Sequence, residues 1–178
     1  MKAISKAKPN GFTLIEILAV IAIVGILAAI IVPVAGGAKE TALKRRAATE
    51  MQSIKVAALQ FYEDHRYMPW PDAVKVGEDK WTSGTADQAQ VMDLLTGANP
   101  MKKLYLQIPE KSRGSGGQVV FNDPWGQPYQ IGMDRNMDGV VQVQGTGTWD
   151  GNTVVERVLV FCPGPPGKGK PMKTFDIK

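Results

Sequence analysis

The sequence has little of the residues from which many active sites are built. It holds one cysteine, Cys162, and one histidine, His65, in 178 residues. A single cysteine excludes an internal disulfide framework and a four-cysteine zinc site. A single histidine disfavours a His-based metal cluster and a conventional catalytic triad. The sequence offers no obvious set of nucleophile, base and orienting residue, so it is predicted not to be an enzyme.

Acidic residues are absent from the first eleven positions, which carry Lys2, Lys6 and Lys8. The other 18 Lys and Arg residues almost balance the 17 Asp and Glu residues, so most of the net charge of +4 comes from this short segment. The basic charge is therefore a weak indication of nucleic-acid binding, and no nucleic-acid partner is expected. The mean hydropathy of -0.12 excludes a protein with many membrane spans.

A long stretch without charge follows the basic segment. No charged side chain occurs from Ile17 to Ala38. A helix of about 20 apolar residues crosses the core of a bilayer, so residues 12–36 are predicted to span a membrane. The lysines before this stretch and the bulk of the chain after it predict a cytoplasmic N-terminus.

Glu16 is the one charged residue within the apolar segment, where carboxylates are rare and usually paired. The sequence from Gly11 to Glu16 reads GFTLIE and closely resembles the N-terminal signature of type IV prepilins and pseudopilins. The resemblance implies that a membrane-embedded prepilin peptidase cuts between Gly11 and Phe12 and then methylates the new N-terminus at Phe12. It also implies that the Glu16 carboxylate pairs with the N-terminal ammonium of a neighbouring subunit during filament assembly.

Other interpretations of the N-terminal segment stay open. A conventional secretory signal shares the basic start and the apolar core and would be cut near residues 34–38, although it leaves Glu16 unexplained. A simple uncleaved anchor is a second alternative. In a third, Glu16 only reaches back to the cytoplasmic interface of the membrane.

Beyond Gly37 the sequence becomes polar but keeps a helical period. Apolar residues recur at steps of three or four positions, at Ala47, Met51, Ile54, Ala58 and Phe61. This spacing places one apolar stripe on a helix. A single helix is predicted from residue 12 to about residue 64, with residue 33, a proline, as the place for a kink. Its amphipathic part, residues 37–64, needs a globular partner to cover the stripe. The basic run at residues 44–46 is assigned to a solvated face, with anionic lipid or a neighbour's acidic residues as the alternative.

Residues 65–178 are predicted to form a small globular domain. Residues 69–86 are expected to be a loop and residues 87–95 a short helix. Strands are predicted at residues 118–121, 128–133, 140–144 and 154–161, and the short connections favour an antiparallel sheet. The tail, residues 163–178, is expected to be loose. Cys162 is predicted to be buried and unreactive, and His65 to lie on the surface.

Residues 123–129 read DPWGQPY, a segment that resembles a hallmark of the major pseudopilin of type II secretion. Pro124 and Gly126 suit a tight turn that starts at Asp123. Trp125 and Tyr129 can cover a sheet face and the long helix. A structural role is therefore predicted for this turn.

The segment DRNMDG resembles the start of a calcium-binding loop, with oxygen-bearing side chains at Asp134, Asn136 and Asp138 followed by a glycine. Val140 would add a backbone carbonyl. The usual glutamate at the twelfth position is missing, and Asp150 is a candidate to replace it. The pseudopilins that the sequence resembles bind structural calcium in this region, so Ca2+ is a candidate cofactor. A hairpin turn built from Asp, Asn and Gly is the alternative.

The sequence is thus identified as similar to the major pseudopilins of type II secretion. The resemblance implies an α+β, pilin-like fold: a leader peptide at residues 1–11, then a long N-terminal helix packed on a small antiparallel sheet. It implies a structural subunit of a periplasmic filament that helps drive protein export. The expected partners are copies of itself, minor pseudopilins, the prepilin peptidase, an inner-membrane assembly platform and, before assembly, membrane lipid.

The expected location is the bacterial inner membrane, with one span, a cytoplasmic N-terminus and a periplasmic C-terminal domain. The nearest alternative is a type IV pilus subunit or minor pilin that serves adhesion, motility or DNA uptake. An alternative of another class is a periplasmic hydrolase with a helical anchor, which the lack of a catalytic set disfavours.

Overall fold

The computed structural model describes residues 12–72, 77–114, 118–144, 151–165, 167 and 171–174, and for residues 30–36 it describes the backbone alone. The chain divides into two compact units, Met1–Ala42 (unit 1) and Leu43–Lys178 (unit 2). Helix α1, Leu14–His65, supplies residues to both units. The prediction of one long helix is confirmed, with Phe12 and Thr13 lying just before its first residue.

Unit 1 exposes its apolar residues. Every described side chain from Phe12 to Ala29 is exposed, although almost all of them are apolar. In the part of the chain that the structure describes, no helix reaches the combination of length and hydropathy that a membrane crossing requires.

Unit 2 contains the remaining secondary structure. In chain order its elements are β1 (Lys80–Trp81), α2 (Gly84–Leu95), a 3-10 turn (Glu110–Ser112), β2 (Gln130–Met133), β3 (Val141–Gln142), β4 (Thr153–Val154), β5 (Val158–Cys162) and β6 (Met172–Lys173). Among the described residues, one sheet has the strand order β1-β2-β5-β6 and the other pairs β3 with β4. Every pairing is antiparallel, as predicted, and in the longest one Ile131 lies opposite Val160.

The apolar stripe of α1 forms one side of the core of unit 2. Each of its predicted members is at most 2% exposed: Ala47, Met51, Ile54, Ala58 and Phe61. They belong to one buried cluster with residues of α2, β2 and β5, including Met92, Ile131 and Val160. The helical period in the sequence therefore identified the buried face correctly, and this face fixes α1 against the sheet within unit 2.

The prediction of a strand at residues 118–121 is wrong. Phe121 makes only an isolated bridge, with Arg113. Instead of a neighbouring strand, the buried side chain of Gln88 bonds to the backbone of Phe121: its Oε1 accepts the Phe121 N–H at 3.1 Å, and its Nε2 donates to the Phe121 carbonyl at 2.7 Å. The Gln88 amide, together with the Tyr129 N–H that donates to the Phe121 carbonyl at 3.3 Å, thus satisfies the backbone groups that a strand would have paired.

The other boundaries differ because several strands are very short. Residues 154–161 are not one strand: β4 ends at Val154, and a turn in which the Glu156 N–H donates to the Val154 carbonyl separates it from β5 in the other sheet. The expected loop at residues 69–86 contains β1, and the expected loose tail contains β6. A strand of two residues is too short to show a periodic pattern in its sequence. Such strands form because they pair with a neighbouring strand.

Candidate functional site

At the start of α1, Thr13 and Glu16 form a reciprocal cap. The backbone N–H and the hydroxyl of Thr13 each donate to Glu16 Oε2 at 2.8 Å, and the Glu16 N–H donates to Thr13 Oγ1 at 3.4 Å. This is a capping box, which satisfies backbone donors that the first turn of a helix leaves without partners. Sequence reasoning missed it, although Thr-x-x-Glu before an apolar run is its known signal.

The apolar surface that follows this cap is extensive. More than half of each of these large side chains is exposed: Phe12, Leu14, Ile15, Ile17, Leu18, Val20, Ile21, Ile23, Val24, Ile26 and Leu27. Contiguous apolar patches of this kind mark sites of protein or membrane contact. Phe12, the predicted methylated residue, is 83% exposed, whereas Gly11, its partner in the predicted cleavage, lies outside the described residues.

In unit 2, the segment DPWGQPY forms the predicted turn. The Gly126 N–H donates to the Asp123 carbonyl at 3.0 Å, and the Asp123 N–H donates to the Gln127 carbonyl at 2.7 Å. Asp123 Oδ1 also accepts the N–H groups of Trp125 and Gln127, each at 2.9 Å. Gly126 has φ = +87°, which a residue with a side chain rarely adopts. The turn is therefore closed by its own aspartate and by its glycine.

Tyr129, at the end of this segment, ties the turn to α1. It is fully buried, and its hydroxyl donates to Glu50 Oε2 at 2.7 Å. Glu50 Oε1 accepts from Arg46 Nε at 2.9 Å and from Ser112 Oγ at 2.8 Å. Burial, followed by the bond to the Glu50 carboxylate, raises the pKa of Tyr129. A buried carboxylate with donors on both oxygens satisfies the condition under which such a charge is tolerated in a core.

The three basic residues at positions 44–46 do not share one environment, because only one of them joins the Glu50 network. The Arg46 guanidinium bonds to Glu50 and to Ser112 Oγ, the latter at 2.6 Å, whereas Lys44 and Arg45 are exposed. The assignment of the whole run to a solvated face is therefore wrong for Arg46. Its position on the apolar stripe's side of α1 turns it inward.

Cys162 is buried, as predicted, and its thiol donates to Asp123 Oδ2 at 3.1 Å. Burial raises the pKa of the Cys162 thiol, and the bond to the Asp123 carboxylate raises it further. Because the thiolate is the reactive form, this environment keeps the cysteine unreactive. The thiol acts as a donor that holds the end of β5 against the turn.

His65 differs from its predicted place on the surface. It is half-buried at the end of α1, and its ring stacks on Phe61 with a centroid separation of 4.2 Å. Tyr67 and Tyr105 lie 5.6 and 6.1 Å from it, centroid to centroid. The histidine is therefore part of an aromatic cluster that closes the end of the helix.

Four of the five predicted calcium residues lie in the hydrogen-bonded loop after β2. Asp134 Oδ2 accepts the Gly139 N–H at 2.9 Å, and Asp138 accepts from both the Asn136 amide and the Val140 N–H. Met137 and Gly139 have positive φ values of 64° and 84°, which fold the loop sharply. Asp150, the predicted fifth residue of the site, lies outside the described residues.

One oxygen of this loop has no hydrogen-bond partner. Asp134 is fully buried, and its Oδ1 receives no hydrogen bond. A buried carboxylate oxygen without a donor is costly unless a cation binds it, so this atom fits a hard metal ion such as Ca2+. Within the described part of the chain, no three His, Cys, Asp or Glu side chains converge as a ready-made metal-ligand group.

Comparison with known proteins gives two kinds of match, one to a family model and one to curated relatives. The family described as "Prokaryotic N-terminal methylation motif" matches residues 6–32, which include the GFTLIE segment. No solved structure gives a significant match.

Curated relatives match a much larger part of the chain. "Type II secretion system core protein G" of Aeromonas hydrophila is 30% identical over 71% of this chain and 74% of the relative. The protein of the same name from Vibrio cholerae serotype O1 is 30% identical over 69% of this chain and 70% of the relative. That from Pectobacterium carotovorum is 40% identical over 70% of this chain and 67% of the relative. These relatives favour the secretion pseudopilin over the pilus alternative, and the chain belongs to the type II secretion system core protein G family.

Proposed function

We propose that this chain is a structural subunit of the pseudopilus, the filament that helps drive protein export by type II secretion. The observation that carries the proposal is the exposed apolar surface of residues 12–29, which begins at the Thr13–Glu16 cap. The free energy of the system falls when lipid or other apolar helices cover such a surface and remove it from water. A filament whose subunits bury these helices against one another provides that cover.

The subunit is made as a precursor and cut between Gly11 and Phe12, and Phe12 is then methylated. The match to the methylation motif over residues 6–32 supports this step. Cleavage removes Lys2, Lys6 and Lys8, whose positive charge first keeps the N-terminus in the cytoplasm.

Before assembly the subunit is anchored in the inner membrane. The absence of charge from Ile17 to Ala38 and the exposed apolar side chains of residues 12–29 support a single span, with the C-terminal domain in the periplasm. From there it joins copies of itself and minor pseudopilins on an assembly platform in that membrane. Its role is structural rather than catalytic, and the bonds of Ser112 and Tyr129 to the buried Glu50 support this, since they engage these polar groups within the core.

Glu16 can cap its own helix and still accept a neighbour's cation. The cap uses Oε2, and a carboxylate has a second acceptor oxygen. A methylated N-terminal ammonium at Phe12 of a neighbouring subunit is a cation in the same apolar surroundings, where opposite charges attract strongly. Glu16 therefore sets the axial register between subunits.

Calcium is the proposed cofactor of unit 2. Asp134, Asn136 and Asp138 would supply side-chain oxygens and Val140 a backbone carbonyl. The buried Asp134 Oδ1 without a donor is the observation that favours this role over a plain hairpin. Bound calcium would neutralise the acidic loop and hold it in one conformation. Melting of the full-length chain in detergent should therefore shift to higher temperature with calcium than with a chelator, and an unchanged Tm would contradict the proposal.

Mass spectrometry of the N-terminus tests the first steps. Membranes of cells that express the chain should yield a mature form that starts with methylated Phe12. An intact N-terminus at Met1, or a cut near residues 34–38, would contradict the processing. Deletion of the gene should also abolish export of secreted proteins, whereas loss of long surface fibres with normal export would indicate a pilin.

Variants at Glu16 separate its two roles. Glu16→Gln keeps an acceptor for the capping box but removes the charge, and Glu16→Ala removes both. Both should insert into the membrane yet fail to form filaments, because the ammonium loses its counter-charge. Glu63→Ala, at an exposed carboxylate of the same helix, is the matched control and should assemble normally. Normal filaments from Glu16→Gln would show that only the cap matters.

A further inference from the structure

Residues 104–108 of unit 2, the edge segment, have the side-chain pattern of a strand but no strand partner. Leu106 and Ile108 are buried, and Gln107 between them is exposed, an alternation that is typical of a β-strand. Among the described residues, no hydrogen bond involves the backbone of Leu104, Gln107 or Ile108. The edge segment therefore resembles the open edge of a sheet, where another chain can pair.

The edge segment lies along helix α1. Just before it, Lys103 Nζ donates to the Asp64 carboxylate near the end of the helix. Beyond its other end, Ser112 Oγ donates to Glu50 Oε1 at 2.8 Å, more than three helical turns earlier in α1. The edge segment therefore runs antiparallel to α1 within unit 2.

A continuous groove runs between the edge segment and the exposed face of α1. Its central cavity, of about 550 Å3, shares Val56 and Gln60 with a cavity of about 540 Å3 at one end and Thr49 with a cavity of about 440 Å3 at the other. From Arg46 to Asp64 the groove follows α1 for about 27 Å. That length suits an extended peptide of about eight residues.

The central cavity offers hydrogen-bonding groups without charge. None of the residues that line it is charged, and three of them are glutamines: Gln52, Gln60 and Gln107. Among the described residues, the side-chain amides of these glutamines make no hydrogen bond. Each amide supplies two donors and an acceptor, the groups that pair with the C=O and N–H groups of a peptide main chain. Val56, which is 49% exposed, adds an apolar contact. An ion or a nucleic acid would find no counter-charge in this cavity, whereas a peptide main chain finds partners for its polar groups.

We propose that this groove binds a neutral, extended peptide segment of another protein, which adds alongside the edge segment as a further strand. The main-chain groups of Leu104 and Gln107 bond to one side of the peptide, and the amides of Gln52 and Gln60 bond to the other. Because most of the affinity in this mode comes from main-chain bonds, the groove accepts many neutral sequences. This binding is a function in addition to filament assembly and does not depend on it.

The first test is a titration of a fluorescent peptide into the full-length chain in detergent. The peptide is acetyl-Thr-Val-Ser-Val-Thr-Val-Ser-Val-amide with a dye at one end, and fluorescence anisotropy measures its binding. The same peptide with alternate amide nitrogens methylated keeps its side chains but loses half of its N–H donors. It should bind at least about tenfold more weakly. No binding of the first peptide, or equal binding of the two, would overturn the proposal.

Variants locate the bound peptide. Gln52→Ala combined with Gln60→Ala removes two amides from the exposed face of α1 and should weaken binding at least about tenfold without a change in Tm. Gln107→Pro removes a backbone donor that has no partner among the described residues and should weaken binding as well. Gln90→Ala, at an exposed glutamine of α2, is the matched control and should bind the peptide as the unaltered chain does. Equal binding by the double variant and the control would place the peptide elsewhere, such as at the sheet edges β1 and β6, and would overturn the proposal.

Assembled filaments distinguish a peptide from a second copy of the chain as the occupant of the groove. The proposal leaves the groove open in the filament. Purified filaments should therefore bind the fluorescent peptide as tightly, per subunit, as the chain in detergent. Filaments that bind it at least about tenfold more weakly would show that neighbouring copies cover the groove, and this result would overturn the proposal.

Discussion

The apolar residues in two stretches of the N-terminal segment and helix α1 differ in how far they are buried. In residues 12–29 the side chains are almost all apolar and every one is exposed. In residues 47–61 fewer side chains are apolar, yet the stripe that includes Ile54 and Phe61 is at most 2% exposed. Burial therefore follows the arrangement of apolar residues around the helix rather than their number. An apolar stripe on one side of a helix can be buried by other residues of the same unit. A helix that is apolar on all sides needs lipid or other subunits to cover its remaining surface.

Truncating a large side chain in each stretch should give the largest contrast. Phe61→Ala removes a fully buried ring from the core of unit 2 and should lower its free energy of unfolding by about 3–5 kcal/mol. Leu18→Ala removes a side chain that is 55% exposed and should leave that free energy unchanged. Urea unfolding of the full-length chain in detergent, followed by tryptophan fluorescence, measures both. Similar losses in the two variants would mean that residues 12–29 also contribute to the core.

Adding a methyl group at a glycine tests the same contrast between the packed core of unit 2 and the exposed residues 12–29. A Cβ at Gly132 would overlap the Trp81 ring at Cε2, so Gly132→Ala should cost about 1–3 kcal/mol. A Cβ at Gly25 of α1 meets no atom within 4 Å, so Gly25→Ala should leave the unfolding of unit 2 unchanged. In a double-mutant cycle, Trp81→Ala should remove most of the Gly132→Ala penalty. Additive losses would show that the clash is not with Trp81.

The long helix and its buried stripe could be predicted because a repeating period carries its own signal. The turn at Asp123 could be predicted too, since Pro124 and Gly126 have local conformational preferences. By contrast, β1 and β6 are two residues long and exist only through their partners, β2 and β5. No local pattern could place them.

The polar contacts between distant parts of the chain could not be predicted from the sequence either. Glu50 is a charged residue beside the stripe, and nothing near it in the sequence indicates that it accepts from Tyr129, which is 79 positions away. Asp79 lies in a segment without a motif and reaches Arg135. In the calcium loop, the motif supplied Asp134, Asn136 and Asp138, but only the structure could show that Asp134 Oδ1 is buried without a donor.

Two tyrosine–carboxylate hydrogen bonds have the same length, but one is buried and the other is exposed. Tyr129 donates to Glu50 at 2.7 Å in the core, and Tyr105 donates to Asp64 at 2.7 Å near the surface. Tyr129→Phe should cost about 1.5–3 kcal/mol, because the buried Glu50 carboxylate loses a donor that water cannot replace. Tyr105→Phe should change the free energy of unfolding little, since water and Lys103 still serve Asp64. Equal losses in urea unfolding would contradict the assigned difference in burial.

The smallest expected effect is a change in the alkaline titration of Tyr105. Desolvation, and then its bond to the Asp64 carboxylate, raise the pKa of Tyr105 from 10.0 to about 12. Because the folded-state pKa lies above the unfolded one, the folded state loses stability relative to the unfolded state as the pH rises from about 10 through 12. Phenolate absorbance should therefore report a tyrosine that titrates late. In Asp64→Asn that tyrosine should titrate earlier, because the neighbouring negative charge is gone. An unchanged titration in Asp64→Asn would assign the whole shift to desolvation and leave the carboxylate without influence on its partner.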